Sequence, residues 1–150
     1  MERPRLLLVD DEPDILRSLE LLLLRSRPRL EVLTAANGAE ALLRLESTPV
    51  DLVVTDYRMP KLDGLRLVRT VRERWPDRPS LLLTAYPDLD LAIEALNAGH
   101  VRRFFVKPVE PVKLLATIDE LVAKAYAARQ RLVAFARAGW AERKAAASQA

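Results

Sequence analysis

Five short apolar runs recur along this chain, and each is followed by a stretch with helical spacing. That alternation constrains the fold more than any other feature. The runs are RLLLV (5–9), LEVLTA (30–35), DLVVT (51–55), SLLLT (80–84) and RFFV (103–106). Most are apolar without polar alternation, as strands covered on both faces are. The intervening segments place apolar residues three and four apart: Ile15, Leu19, Leu22, Leu23; Ala41, Leu42, Leu45; Leu65, Val68, Val71; Leu91, Ile93, Ala95, Leu96. A last one begins near Glu110, with Val112, Leu115, Ile118, Leu121 and Val122. Five βα units in a row predict a doubly wound α/β fold: a parallel sheet with helices on both faces and right-handed crossovers. A chain of 150 residues suits one such domain and can bury roughly 70% of its extended surface.

Local signals mark where the helices begin and end. Pro13 suits a first helical turn. Asn37 suits an N-cap, with Glu40 three residues on to close a capping box. Gly99 suits the position just past a helix, and Pro76 and Pro79 bracket the loop before the fourth strand.

Composition removes several function classes. There are no cysteines and one histidine, His100, which rules out disulfides, thiolate metal sites and His-rich clusters. No apolar run approaches the ~20 residues of a membrane span, and acids interrupt the N-terminus too early for a secretory signal. A cytoplasmic protein is expected. Half the residues are hydrophobic and 30% are charged, as in a folded soluble domain. The charge is uneven: residues 127–150 carry five basic residues and one acid, net +4, so residues 1–126 carry −1 of the total +3. The main domain is therefore not expected to bind nucleic acid or membrane.

In open parallel sheets ligands bind outside the carboxyl ends of the strands. The residues there are Asp10 and Asp11 after the first strand, Asp56 after the third, Thr84 after the fourth and Lys107 after the fifth. Two carboxylates ~4 Å apart repel by about 4 kcal/mol at an effective dielectric near 20. Three acids together need cations: Lys107 offers one charge, and Mg²⁺, held by carboxylates and waters, offers two. A metal, a lysine and a hydroxyl around one carboxylate suit phosphoryl transfer, which asks mainly for positioning and charge neutralisation. An aspartate can be the nucleophile and become an acyl phosphate. Asp56 is the candidate, since it ends an apolar strand and precedes the loop YRMPKLDG.

The segments LLLVDDEPDI, DLVVTDYRMPKLDGLRLV, LLLTAYP and FFVKP, in this order and at these intervals, resemble the receiver domain of two-component response regulators. The resemblance spans roughly residues 1–126. It implies a flavodoxin-like receiver fold with five parallel strands in the order 2-1-3-4-5 and five helices. It implies that Asp56 is the phosphoacceptor and that Asp10 and Asp11 are the acidic pair organising Mg²⁺, with the Arg58 backbone carbonyl contributing. Lys107 would pair with the phosphoryl group. Thr84 would be the switch hydroxyl, Ala85 would donate its amide, and Phe104 would be the switch aromatic. A cis Lys107–Pro108 bond is also implied. Two departures stand out. After Gly99 the family often reads Ala-x-Asp-Tyr, whereas this chain reads HVRRFF, one residue longer. Tyr86 and Arg58, both large, occupy positions that in relatives tune phosphoryl lifetime.

The expected function is a phosphorylation switch rather than an enzyme acting on outside substrates. A histidine kinase or phosphotransfer protein would donate the phosphoryl group, and a downstream protein or effector domain would read the face made by the fourth helix, fifth strand and fifth helix. Three alternatives differ in class. A pseudo-receiver would lack a key residue, and all are present. A Mg²⁺-dependent aspartyl phosphatase usually carries Asp-x-Asp after the first strand, where this chain has adjacent acids. A flavin or nucleotide binder would want a glycine- or hydroxyl-rich phosphate loop there, and DDEPD would repel phosphate. Simpler readings weigh against each residue: Asp11 or Glu12 as a helix cap, Asp56 as a turn residue, Thr84 and Lys107 as ordinary strand and surface residues. Asp63-Gly64 reads as turn and helix-start chemistry. Residues 127–150 read as a helical extension or linker. Ile118, Leu121, Ala125, Ala128, Leu132 and Phe135 fit an a/d stripe that could pair two protomers; an alanine-rich surface helix is the other reading, and Gly139 disfavours helix beyond it.

Overall fold

This computed structural model describes residues 2–149, the side chain of Tyr86 excepted. The five strands are β1 (Arg5–Val9), β2 (Glu31–Ala35), β3 (Leu52–Asp56), β4 (Ser80–Thr84) and β5 (Arg103–Val106), all paired in parallel in the order β2-β1-β3-β4-β5. The helices are α1 (Pro13–Ser26), α2 (Gly38–Ser47), α3 (Gly64–Arg74), α4 (Leu89–Asn97) and α5 (Pro111–Ser148). The expected sheet order and helix count are both present.

The apolar runs became strands because both faces are covered. On one face Leu6, Leu8, Leu52, Val54, Leu81 and Leu83 pack against α1 and α5 through Leu23, Leu114, Ile118 and Val122. On the other, Leu7, Val9 and Val53 meet α2 and α3 through Ala41, Leu45, Leu67 and Val71. A smaller cluster joins Val68, Leu82, Ala92 and Ala95. Phe104 packs on this last cluster and Phe105 on the first, so the two point to opposite faces as the period of a strand requires. Both are only partly buried, because β5 is an edge strand.

Most ends follow the local signals. Pro13 begins α1. Asn37 caps α2, its side chain accepting the Glu40 amide at 2.8 Å. The capping box is modified: the Glu40 carboxylate accepts the amide of Ala36, not of Asn37. Gly99, at φ 77°, closes α4 with its amide on Leu96 and that of His100 on Ala95, the paired bonds of a left-handed C-cap. The third strand runs one residue later than the apolar pattern suggested. Asp51 lies just before the paired register, its amide donating to the Arg5 carbonyl (2.8 Å) and its carboxylate accepting the Arg5 amide (2.9 Å), whereas Asp56 pairs opposite Leu83.

α5 is one 38-residue helix that continues through Gly139. Ile118 lies in the domain's own core and Leu121 packs against it, so the proposed a/d stripe is partly used internally. Beyond it, Leu132, Phe135 and Trp140 are exposed. Among the described residues no helix is long and apolar enough to cross a membrane.

Candidate functional site

The strand ends converge because β1 and β3 are direct neighbours. Val9 pairs with Thr55, which places Asp10 and Asp56 side by side at the carboxyl edge. Asp10 is fixed from two directions. Its amide donates to Ala35 (3.2 Å) and its Oδ1 accepts the amide of Glu12 (2.9 Å), turning the chain from β1 into α1. No side chain caps α1, so the capping alternative for Asp11 or Glu12 fails. One ligand oxygen each from Asp10, Asp11 and Asp56 lies within 4.8 Å of the others.

Asp56 and Lys107 meet directly: the ammonium lies 2.8 Å from Oδ1 of the carboxylate. Their backbones are held by the sheet. Tyr57 donates to Leu83 at 2.9 Å and Lys107 to Thr84 at 2.8 Å. The Lys107–Pro108 bond is cis, as expected. Gly64 lets α3 start close beside Asp56. A Cβ there would run into the Asp56 carbonyl oxygen and the Tyr57 backbone, and the Gly64 amide donates to Tyr57 at 2.7 Å. Asp63 caps α3 through the Arg66 amide (2.9 Å), in keeping with its reading as helix-start chemistry.

Asp10 is 2% exposed and its Oδ2 has no hydrogen-bond partner among the described residues. Burial above all pushes its carboxyl pKa up, and the charges of Asp56 and Asp11 add to this; the Glu12 amide and Lys107 act the other way. An orphaned, buried carboxylate oxygen beside two further carboxylates is a site built for a cation. The residues therefore fit Mg²⁺, a hard ion that takes oxygen ligands.

Thr84 is fully buried at the end of β4, and its hydroxyl donates weakly to the Ala85 carbonyl at 3.3 Å. Phe104 packs in the cluster between the sheet and α3–α4. It pairs with Leu82, one pleat below Thr84 on the same face. The Arg58 side chain holds Asp88 through two bonds, Nε at 2.8 Å and Nη2 at 2.9 Å. Asp88 escaped the sequence reading. It looks like an ordinary N-cap, and its partner lies thirty residues away. Tyr86, named from sequence as a lifetime residue, has its side chain outside the described set.

Residues 6–119 match the family described as the response regulator receiver domain. The response regulator protein PilR of Pseudomonas aeruginosa is 44% identical over 125 residues, 83% of this chain but 26% of PilR. A receiver domain from Clostridium thermocellum superposes with a TM-score of 0.74 at 32% identity, over 87% of this chain and 98% of that one. The signal receiver domain of an HD domain-containing protein from Pseudomonas fluorescens gives 0.77 at 32% identity, over 84% and 99%. The chain thus spans about a quarter of the full-length regulator and nearly all of each isolated domain. Parallel strands in this order, acids gathered at the carboxyl edge and a match across most of the sequence agree: the chain belongs to the receiver-domain family of response regulators.

Proposed function

We propose that this chain is a Mg²⁺-dependent phosphoacceptor switch with Asp56 as the acceptor. The observation that carries the reading is the meeting of Asp10, Asp11 and Asp56 at one strand edge with the Lys107 ammonium 2.8 Å from Asp56. An Asp56 carboxylate oxygen attacks the phosphorus of a phosphohistidine on a histidine kinase or phosphotransfer protein. The O–P bond forms, the N–P bond breaks, and the donor imidazole keeps the electron pair. Asp10, Asp11, Asp56 and the Arg58 carbonyl would hold Mg²⁺, which supplies charge neutralisation on the phosphoryl oxygens when bound. Lys107 pairs with a phosphoryl oxygen and keeps that charge balanced after transfer. The Thr84 hydroxyl and the Ala85 amide then donate to the new group. As Thr84 shifts, Phe104, one pleat below on the same face, follows.

The readout surface is the face of α4, β5 and α5. Leu91, Ile93, Leu96 and Val112 are exposed on α4 and α5, apolar surface open to a partner. Residues 1–126 make up the switch, working in the cytoplasm, and residues 127–150 form a helical extension toward an effector or a second protomer. The domain carries out only its own phosphorylation and dephosphorylation. The test is labelling by a small acyl phosphate with and without Mg²⁺. Wild type should label only with the metal, and Asp56→Asn should not label; equal labelling of the variant overturns the assignment.

A further inference from the structure

Asp88 stands at the N-terminus of α4 yet makes no capping bond to it. An aspartate there ordinarily accepts an amide of the first turn. Here both carboxylate oxygens are instead committed to the Arg58 guanidinium. The ends of the pair differ sharply: the Asp88 side chain is 5% exposed and that of Arg58 is 71% exposed. A buried carboxylate held by a two-pronged, charge-assisted contact is directional and strong for its kind. Arg58 lies two residues past the acceptor, in the loop between β3 and α3. Asp88 closes the loop that carries Thr84 and Ala85, and its amide donates to the Ala85 carbonyl at 3.0 Å. Any movement of Ala85 toward a group on Asp56 therefore pulls on Asp88, and through it on Arg58.

We propose that Asp88 is a positioning residue. By gripping Arg58 it holds the Thr84–Asp88 loop in its unphosphorylated arrangement and so sets how readily Asp56 is modified. This rests on the reading of Asp56 as phosphoacceptor. The Arg58 carbonyl is unaffected by changes to its side chain, so the grip can be removed without deleting a ligand atom.

The test uses the whole chain and the variants Asp88→Asn, Asp88→Ala, Arg58→Ala and the double Arg58→Ala/Asp88→Ala. Asp88→Asn keeps the size of the buried side chain and guards against loss of folding. Two readouts are taken. Amide exchange over residues 85–91 needs no phosphate chemistry, and Mg²⁺ with beryllium fluoride, a phosphoryl stand-in, reports the modified state. Each single variant should speed exchange and raise the apparent beryllium fluoride affinity by about fivefold, a usual size for coupled sites. The double variant should match the singles, since both remove one contact. A merely structural Asp88 would loosen α4 and lower that affinity. Unchanged exchange in all variants, or additive effects in the double, overturns the grip. Faster exchange with unchanged or weaker affinity overturns its role in modification. If wild type itself takes up no beryllium fluoride while exchange still responds, the Asp56 reading fails, and with it the link to modification.

Discussion

Asp10 is the residue at which stability and the proposed metal binding oppose each other. Its carboxylate is buried, one oxygen lacks a partner among the described residues, and two like charges stand beside it. Asp10→Asn keeps the acceptor for the Glu12 amide and gives Asp56 a neighbouring donor. It should raise the stability of the metal-free protein by about 1 kcal/mol, a typical value for relieving one unsatisfied buried group. It should also weaken Mg²⁺ at least tenfold, or about 1.4 kcal/mol. Urea melts in chelator and metal titrations by calorimetry measure the two arms; a less stable metal-free variant would contradict the account. Lys107 is the counterpart. Lys107→Met leaves three clustered acids with no nearby ammonium, and millimolar Mg²⁺ should recover part of the lost thermal stability. The carboxylates and the lysine were legible in sequence, because each stands at the end of an apolar run. Asp88 was not, because its partner is set by the fold rather than by spacing.

At the scale of elements, the contact between β3 and α3 is the most demanding. Gly64 lies so close to the Asp56 carbonyl and the Tyr57 backbone that no Cβ fits without shifting main chain. Gly64→Ala should cost about 1–3 kcal/mol, the usual penalty of overpacking, and should slow the proposed phosphorylation because the peptide of Asp56 itself moves. Chemical denaturation and labelling rates check this together. Sequence showed that an Asp-Gly pair starts this helix, but not that the glycine is forced by the end of β3. Similarly, the a/d stripe on α5 was visible as spacing. That Ile118 and Leu121 face the domain's own core was settled only by how α5 lies on the sheet.

For the molecule as a whole, the tail is tied to the opposite edge of the sheet from the carboxylate site. Arg129 donates to both oxygens of buried Asp51 (2.8 and 2.9 Å) and to Glu2, and Gln130 also reaches Glu2. The body's grip on α5 thus extends past the boundary that sequence placed at residue 126. Arg129→Ala removes the ion-pair partner of the buried Asp51 carboxylate, leaving it the Arg5 amide, and should cost about 3 kcal/mol. Truncation after Tyr126 should cost a comparable amount, and truncation after Arg131 should stay within about 0.5 kcal/mol of the intact chain. Equal melts for the two truncations would contradict this division. The sequence by itself determined the element order, the double coverage of the sheet and the set of residues at the strand ends, because apolar periodicity and strand length are local and repeat along the chain. The tertiary structure alone decided which of those ends lie side by side, what Arg58 and Arg129 grip, and which apolar face of α5 stays open. Those are contacts between residues tens of positions apart, and their geometry follows from strand order and helix packing, which spacing along one chain does not encode.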